Sequence, residues 1–286
     1  MDIRVLNYFV TIVQQKSITN AARSLHVTQP TLSRQIRELE EELGAPLLIR
    51  GSREVQMTEQ GQFLYNRALE ILALVKKTEQ SIRFDEEISG TISIGAAESQ
   101  SLATVAYVAS NLTQNHSQLQ FSIFSGNADE VQEKLDSGLL DFGIIFGEVN
   151  HKKYDSLPLG KGEQWGVLVP NSHQLTAKHQ VTFEDIAPYP IIVSSQANKD
   201  IKWRSIFKDF HIAGSYNLLF NAALLVEAGM GIAIGLDGIV NRAGLSFIPF
   251  DTPMEENLNL IWRRYSHQPK IAKVFLDALK DNILDA

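Results

Sequence analysis

The stretch at residues 17–37, SITNAARSLHVTQPTLSRQIR, has the pattern of two short helices joined by a turn. In the first helix, apolar and small residues recur at helical spacing, namely Ile18, Ala21, Ala22 and Leu25. His26 and Val27 interrupt this spacing. Thr28 is a good N-cap and Pro30 loses no hydrogen bond in a first turn, so a second helix should begin directly after Thr28. The pattern predicts a helix-turn-helix.

The second helix would point residues of DNA-reading types away from its core. Its apolar residues are spaced by four, three and four: Leu32, Ile36, Leu39 and Leu43. Arg can bond bidentately to guanine and Gln to adenine, while Ser and Thr suit phosphates and thymine methyl groups, and the leading end of such a helix enters the major groove. We therefore assign DNA contact to Gln29, Pro30, Thr31, Ser33, Arg34 and Arg37. The alternative is an ordinary amphipathic helix pair with a solvated face.

Two further segments would complete a winged helix-turn-helix. A first amphipathic helix covers the motif from behind with Ile3, Leu6, Phe9, Val10 and Val13. Gly44 should end the recognition helix, and LLIR and EVQM indicate two short strands joined by a turn. Arg50 and Arg53 would lie at the tip of this wing, where they could reach phosphates or the minor groove. We expect residues 1–58 to form the DNA-binding domain.

A long helix should follow the wing, from its N-cap Thr58 to about residue 84, a length of roughly 40 Å at ~1.5 Å per residue. Its apolar positions alternate by four and three, the heptad spacing of a two-stranded coiled coil. We assign residues 59–87 to a linker that dimerises the chain through Leu64, Ala68, Ile71, Val75 and Ile82. The alternative is a single helix packed on its own domain. Two copies would place two recognition helices about one DNA turn apart or a small multiple of it, so the DNA site should be an imperfect inverted repeat.

The composition is typical of a soluble, cytoplasmic protein. With 286 residues, 44% hydrophobic and 21% charged, the chain can form two or three ordinary globular domains. We expect no signal peptide and no membrane span, because no basic region with an apolar run begins the chain and its longest apolar stretch is interrupted. The chain has no cysteine and its seven histidines are scattered, so we expect no metal and no cofactor. It also lacks a Gly-x-Ser-x-Gly elbow and a phosphate loop, so an enzyme is not expected.

The net charge of −7 is unevenly distributed. Residues 1–60 carry seven basic and seven acidic side chains, whereas residues 91–286 carry fifteen and twenty-one. Between Lys16 and Arg37 there are four basic residues and no acidic one. A local basic face is enough for phosphate binding, and negative charge elsewhere limits nonspecific association. The overall acidity is therefore compatible with binding to DNA.

The N-terminal sequence resembles that of a known family. Residues 7–50, NYFVTIVQQKSITNAARSLHVTQPTLSRQIRELEEELGAPLLIR, are similar to the DNA-binding domain of LysR-type transcriptional regulators, and the length and C-terminal layout also resemble that family. The resemblance implies a linker that forms dimers and often tetramers. It also implies a C-terminal effector-binding domain, residues 88–286, with the two-lobed shape of a periplasmic solute-binding protein.

Beyond residue 90, short apolar runs alternate with helical segments. The strand candidates are TISIGAA, LQFSIF, DFGIIF, WGVLVP and PIIVSS. This alternation is typical of largely parallel α/β sheets, in which ligands bind beyond the carboxyl ends of the strands. We expect lobe I at about 90–161 plus 266–286 and lobe II at about 162–265. The closing segment NLNLIWRR, at residues 257–264, nevertheless has the pattern of a strand that returns to lobe I.

Small and polar residues follow these strands and would line a cleft between the lobes. They are Glu98, Ser99, Gln100, Ser101, Ser125, Asn127, Gly147, Glu148, Ser194, Ser195 and Asn217. Asn217 could cap the helix that ends at Gly229, and free amides at helix starts favour a small organic anion such as a carboxylate. Glu98 and Glu148 favour the opposite charge, so the charge of the ligand stays open. Alternatively, the serines and asparagines are only helix caps.

Together these patterns predict a DNA-binding transcription regulator controlled by a small-molecule effector in the cleft. Its fold class would be multidomain: an N-terminal all-α winged helix-turn-helix, a long linker helix and a C-terminal α/β two-lobed domain. Its partners would be double-stranded DNA, the effector and further copies of itself as a homodimer or homotetramer, with no membrane. Two alternatives stand beside this prediction. One is a DNA-binding regulator with a structural, ligand-free C-terminal domain, and the other is a ligand-binding or catalytic domain with an N-terminal dimerisation module.

Overall fold

The structure of the protein is a computed structural model with two compact units, Met1–Phe84 and Asp85–Ala286. It describes residues 1–49, 54–82, 88–160, 163–196, 201–252, 258–265 and 268–284, with residues 80–82 and 201–202 described by their backbone alone. Within these ranges, no helix combines the length and the apolar character needed to cross a membrane.

The first unit contains a helix-turn-helix, a wing and a long helix. Its elements are α1 (Ile3–Gln15), α2 (Ile18–Ser24), α3 (Gln29–Leu43), β1 (Leu48–Ile49), β2 (Gln56–Met57) and α4 (Glu59–Ile82). Side-chain oxygens of Ser17, Thr28 and Thr58 accept hydrogen bonds from first-turn amides of α2, α3 and α4. Gly44 ends α3 with a φ of 69°, and β1 pairs antiparallel with β2. The expected order of elements is therefore confirmed for the described residues.

One apolar core holds α1, α2, α3 and the wing together. It includes the fully buried side chains of Phe9, Ile12, Ala21 and Leu32. Glu40, on the inner side of α3, attaches the wing: its Oε1 accepts hydrogen bonds from the backbone N–H groups of Leu47 at 2.8 Å and Leu48 at 3.2 Å. One of the acidic residues near the end of the recognition helix therefore has a structural role.

The second unit contains two lobes, each with its own sheet. Lobe I begins with β3 (Gly90–Ala96), α5 (Leu102–Asn115), β4 (Leu119–Ser125), α6 (Ala128–Asp136), β5 (Phe142–Phe146) and β6 (Tyr154–Pro158). Lobe II consists of β7 (Trp165–Pro170), α7 (Phe183–Ile186), β8 (Ile191–Ser194), α8 (Ile201–Ile206), β9 (Ile212–Tyr216), α9 (Leu219–Glu227), β10 (Ile232–Leu236) and β11 (Leu245–Pro249). The chain then returns to lobe I with β12 (Leu258–Arg263) and α10 (Lys270–Leu284).

Both sheets combine parallel and antiparallel strands. The order in lobe I is β4-β3-β5-β12-β6, where β3 is parallel to β4 and β5 while β12 is antiparallel to both of its neighbours. The order in lobe II is β11-β7-β10-β8-β9, where β8 is parallel to β9 and β10 while β7 is antiparallel to β10 and β11. Helices α5 and α10 cover one face of the first sheet and α6 covers the other. The α/β expectation is thus confirmed, with parallel pairing confined to part of each sheet.

The C-terminal boundary expected for lobe II is wrong. Residues 258–263 form β12, which pairs with β5 and β6 of lobe I, so the range 162–265 extends too far. Leu258 and Leu260 are fully buried in the core of lobe I, which explains why this apolar segment belongs there. The segment NLNLIWRR therefore closes the first sheet, as its strand pattern indicated.

Gly61 lies where the first turn of α4 passes the backbone of Leu47. A Cβ at this position would lie 2.0 Å from the Leu47 carbonyl oxygen. We expect Gly61→Ala to destabilise the first unit by about 1–3 kcal/mol, because a rigid backbone contact cannot relax around the added methyl group. Denaturant unfolding of the variant and the wild type would measure this change.

The matched control is Gln62→Ala, since Gln62 is the next residue of the same helix and is exposed. This variant should change the free energy of unfolding by less than about 0.5 kcal/mol. Equal stability of the two variants would contradict a tight contact at Gly61.

Candidate functional site

The outer face of α3 presents most of the side chains assigned to DNA contact. Gln29, Pro30, Thr31, Arg34 and Arg37 are exposed, whereas Ser33 is half-buried and accepts a hydrogen bond from Gln29 Nε2 at 2.9 Å. The Arg34 side chain is 71% exposed, and its Nε lies 3.4 Å from Glu38 Oε1 on the same helix. An exposed ion pair of this kind is weak, so the guanidinium is available to a stronger partner.

A groove of about 440 Å³ runs beside this face, between α3 and the wing. Gln29, Ser33 and Arg37 line it together with Lys16 and Thr19, which sequence reasoning did not assign to DNA contact. The Lys16 Nζ lies 3.6 Å from Glu54 Oε2 of the wing in an exposed ion pair, so it too is available to a stronger partner. Lys16 begins the stretch up to Arg37 that has four basic residues and no acidic one, and this was the signal that could have identified it.

Arg50 and Arg53, assigned to the wing tip, lie outside the described residues. The same holds for the side chain of Ile82, assigned to the dimer contact.

Part of the apolar stripe of α4 packs on the first unit itself. Ala68 is fully buried against Leu6 and Val10 of α1, and Leu64 and Ile71 pack against the same cluster. The assignment of Ala68 to a dimer contact is therefore wrong, because α1 of the same chain covers it. Among the described side chains of α4, the large apolar residues that remain exposed are Phe63, Leu69 and Leu74, with Val75 half-buried.

The second unit contains a cavity of about 340 Å³ whose walls come from both lobes. Six of the residues expected at the strand ends line it: Glu98, Asn127, Gly147, Glu148, Ser194 and Asn217. The other five are not among its lining residues: Ser99, Gln100, Ser101, Ser125 and Ser195. The rule that ligands bind beyond the carboxyl ends of strands therefore located the cavity, although it overestimated the number of polar residues that face it.

Glu163 explains why two of these serines do not face the cavity. Its Oε1, from lobe II, accepts hydrogen bonds from Ser99 Oγ at 2.5 Å, from the backbone N–H of Ser101 at 2.9 Å and from Ser101 Oγ at 3.2 Å. The carboxylate therefore caps the N-terminus of α5 from the opposite lobe. Glu163 Oε2 is buried and has no hydrogen-bond partner among the described residues.

Glu98 makes the reciprocal contact. Its Oε2, from lobe I, accepts a hydrogen bond from the backbone N–H of Leu219 at 2.5 Å, at the N-terminus of α9 in lobe II. The expected cap by Asn217 is wrong, since α9 begins at Leu219 and its N-cap Leu218 makes no side-chain hydrogen bond. A carboxylate is a better partner for a helix N-terminus than a neutral amide, because it also interacts with the helix dipole.

Sequence reasoning missed the aromatic wall of the cavity. Phe146, Trp165, Trp203 and Tyr216 all line it, and the rings of Trp165 and Trp203 lie 4.9 Å apart between centroids. Trp165 begins β7, which is antiparallel to β10, so it lies opposite Leu236 at the end of β10. The first residue of an antiparallel strand lies at the same edge of the sheet as the carboxyl ends of its neighbours. The position of Trp165 at the start of a strand was therefore the signal available in the sequence.

The hydroxyl of Tyr216 is oriented by a hydrogen bond of 2.6 Å that it donates to the Ile234 carbonyl oxygen. Burial raises the pKa of the Tyr216 hydroxyl, and the negative charge of Glu98 raises it further. The phenol therefore stays neutral at physiological pH, and its ring is held at the cavity wall.

Two family models match the chain. The model for bacterial regulatory helix-turn-helix proteins of the lysR family matches residues 3–62, and the model for the LysR substrate binding domain matches residues 85–283. The HTH-type transcriptional regulator AlsR of Bacillus subtilis (strain 168) is 27% identical over 285 residues, which cover 99% of this chain and 91% of AlsR. The HTH-type transcriptional regulator BenM of Acinetobacter baylyi is 29% identical over 262 residues, which cover 91% of this chain and 84% of BenM.

Solved structures agree with these matches. The crystal structure of full-length BenM has a TM-score of 0.55 and 27% identity, and the match covers 100% of this chain and 96% of BenM. The crystal structure of full-length CbnR complexed with its target DNA has a TM-score of 0.72 and 19% identity. This match covers 99% of this chain and 100% of CbnR, and it shows that the two proteins share a fold. The relatives are named as transcriptional regulators, which confirms the expectation of a regulator rather than an enzyme. The chain therefore belongs to the LysR family, and it is a DNA-binding transcription regulator with a C-terminal substrate-binding domain.

Proposed function

We propose that a small molecule bound in the cleft of residues 88–286 controls DNA binding by residues 1–58, with residues 59–87 as the linker. The observation that carries this proposal is the cavity of about 340 Å³ with walls from both lobes. A ligand that contacts both walls binds best to one separation of the lobes, so it shifts the population of conformations. Regulation of this kind requires no chemical reaction of the ligand.

The hydrogen bonds that cross the cleft are proposed to set the separation of the lobes. Glu98 bonds to the start of α9 and Glu163 bonds to the start of α5. A ligand that adds to these bonds, or competes with them, changes the free-energy difference between closed and open lobes.

The DNA contact is proposed to be made by the outer face of α3, with Gln29, Ser33, Arg34 and Arg37 at base edges or phosphates. Two copies are proposed to dimerise through the exposed apolar residues of α4, and dimers to pair into tetramers, so the DNA site is an imperfect inverted repeat. Because the target is genomic DNA, the proposed location is the cytoplasm.

The whole proposal is tested with an operator selected from a random DNA pool by the full chain. Small metabolites are then screened by thermal shift, where a ligand at about 100 times its dissociation constant adds about 2.7 kcal/mol of stability. A ligand found in this way should change the affinity for the operator. Stabilising ligands that leave operator affinity unchanged would argue against control of DNA binding through the cleft.

Arg34→Ala should weaken operator binding by about 1–3 kcal/mol and relax the sequence preference at one base pair, because the guanidinium reads a base edge. Binding measured across a library of single-base operator variants gives both quantities. Arg4→Ala is the control, because Arg4 is also exposed but lies near the start of α1. The start of the chain is close to the C-terminal end of α3, where the terminal amine contacts Glu42, and this end is opposite to the one proposed to meet DNA. Uniform weakening across the library, with a salt slope smaller by about 0.9, would instead identify Arg34 as a phosphate contact.

Leu74→Lys should weaken the dimer at least tenfold. Leu74 is 40% exposed on α4, and burying a leucine in a dimer contact contributes about 1.5–3 kcal/mol. Analytical ultracentrifugation of the full chain measures the dissociation constant. Asn66→Lys adds the same charge at another exposed position of the helix; equal dimer affinity of the two variants would exclude Leu74 from the interface.

Glu163→Ala should destabilise the second unit by about 1–3 kcal/mol, because it leaves the donors at the start of α5 without their acceptor. Glu163→Gln keeps an acceptor oxygen and should have a smaller effect. Denaturant unfolding compares both variants with Glu133→Ala, which removes an exposed glutamate of α6. If Glu163→Ala is no less stable than Glu133→Ala, the contact with α5 contributes nothing to folding.

A further inference from the structure

The charges and rings around the cleft define a class of ligand. We propose that the cleft binds a cationic small molecule, an aromatic or alkyl ammonium, and not an organic anion. This inference rests on the proposed function, since it names the chemistry of the ligand for the same cleft.

Carboxylates dominate the charge of the cavity wall. Glu98, Asp129 and Glu148 line it, and its described lining residues include no lysine, arginine or histidine. Glu98 and Asp129 belong to lobe I, yet the charge of Glu98 acts on Tyr216 in lobe II, where it contributes to the raised pKa of the hydroxyl. Glu98 also reaches the Leu219 amide of lobe II, so negative charge lies between the two walls, where it attracts an ammonium group and repels a carboxylate.

The helix N-termini at the cleft are already occupied by oxygen atoms of the protein. Glu163 accepts from the start of α5 and Glu98 from the start of α9. At α6, the Ala128 amide donates to Gln196 Oε1 at 3.4 Å, and in a capping box the Glu130 amide donates to Asn127 Oδ1. Helix starts are the usual donors for anionic ligands. An anion would have to displace the chain's own carboxylates from two of them.

Four aromatic side chains line the cavity and are of a type that suits a cation. Trp165 and Trp203 lie with ring centroids 4.9 Å apart, and Phe146 and Tyr216 complete the wall. Aromatic faces attract ammonium groups electrostatically, and cages of such rings recognise quaternary ammonium ligands. The cavity of about 340 Å³ lies at the small end of ligand sites, which measure about 300–1,000 Å³. It therefore suits a ligand of one ring or a short chain.

One donor in the wall points to a further detail of the ligand. The Trp165 Nε1–H is buried and has no hydrogen-bond acceptor among the described residues. A neutral hydroxyl or carbonyl oxygen on the ligand would satisfy it without changing the sign of the ligand's charge.

The test measures binding of matched probes to the full chain by isothermal calorimetry and thermal shift at constant ionic strength. The probes are benzylamine and phenyltrimethylammonium as cations, benzyl alcohol as the neutral analogue and benzoate as the anion. We expect both cations to bind and to stabilise the protein, and we expect benzoate not to bind. Benzyl alcohol should bind roughly tenfold more weakly than the cations or not at all, because it lacks one charge-assisted contact.

Glu98→Gln and Glu148→Gln should each weaken benzylamine binding by roughly tenfold or more. Glu98→Gln keeps a carbonyl oxygen that can still accept from the Leu219 amide, so it removes the charge while retaining the cap. Glu133→Gln is the control, since Glu133 is exposed and is not among the residues that line the cavity. Its affinity for benzylamine should equal that of the wild type.

Tighter binding of benzoate than of benzylamine, no binding of either cation, or unchanged benzylamine affinity in both cleft variants would overturn the inference. Selection of an operator by the full chain, and its response to ligands of any charge, tests the proposed function separately. A cleft that binds benzoate and alters operator affinity would thus refute the cationic ligand while supporting the proposed function.

Discussion

The exchange of carboxylates between the lobes is the interaction on which the arrangement of the cleft depends. Each lobe has its own sheet and its own apolar core, so burial alone fixes the inside of each lobe but not their separation. Glu98 extends from lobe I to α9, and Glu163 extends from lobe II to α5. A carboxylate at a helix N-terminus combines a charge-assisted hydrogen bond with the helix dipole. We propose that these two contacts set the separation of the walls, which carry the aromatic rings that line one cavity.

The DNA-binding unit could be predicted closely because its information is local. Thr28 and Gly44 mark the ends of the recognition helix, and Leu32 and Ile36 identify its buried face within one short stretch. The cleft was only partly predictable. Strand ends located Glu98 and Glu148, but the partner of Ser101 is Glu163, 62 residues further along the chain. Spacing along a sequence carries no information about a contact between residues so far apart. Trp165 was missed for another reason, since an aromatic residue at the start of a strand is usually part of a core.

The long helix α4 shows a different limit. A stripe of apolar residues indicates that one face is covered, but it does not identify what covers it. The stripe was assigned to a second copy of the chain, whereas Ala68 is covered by Leu6 and Val10 of α1. The distinction depends on the position of α1, which follows from the tertiary fold. The pattern nevertheless identified the apolar character of the helix, and its exposed leucines, Leu69 and Leu74, form the surface proposed for a partner.

The occupied start of α5 has a consequence for how ligand preference changes among proteins of this fold. The backbone of α5 offers an anion site that any sequence with the same helix would possess, and the side chain of Glu163 conceals it. Replacement of that one residue by a small neutral side chain would uncover the amide of Ser101 and the neighbouring hydroxyl groups. Under the proposed cationic preference, the sign of the ligand's charge is therefore not a property of the two-lobed scaffold. A few side chains such as Glu163, which can be exchanged without altering a single strand, would determine it.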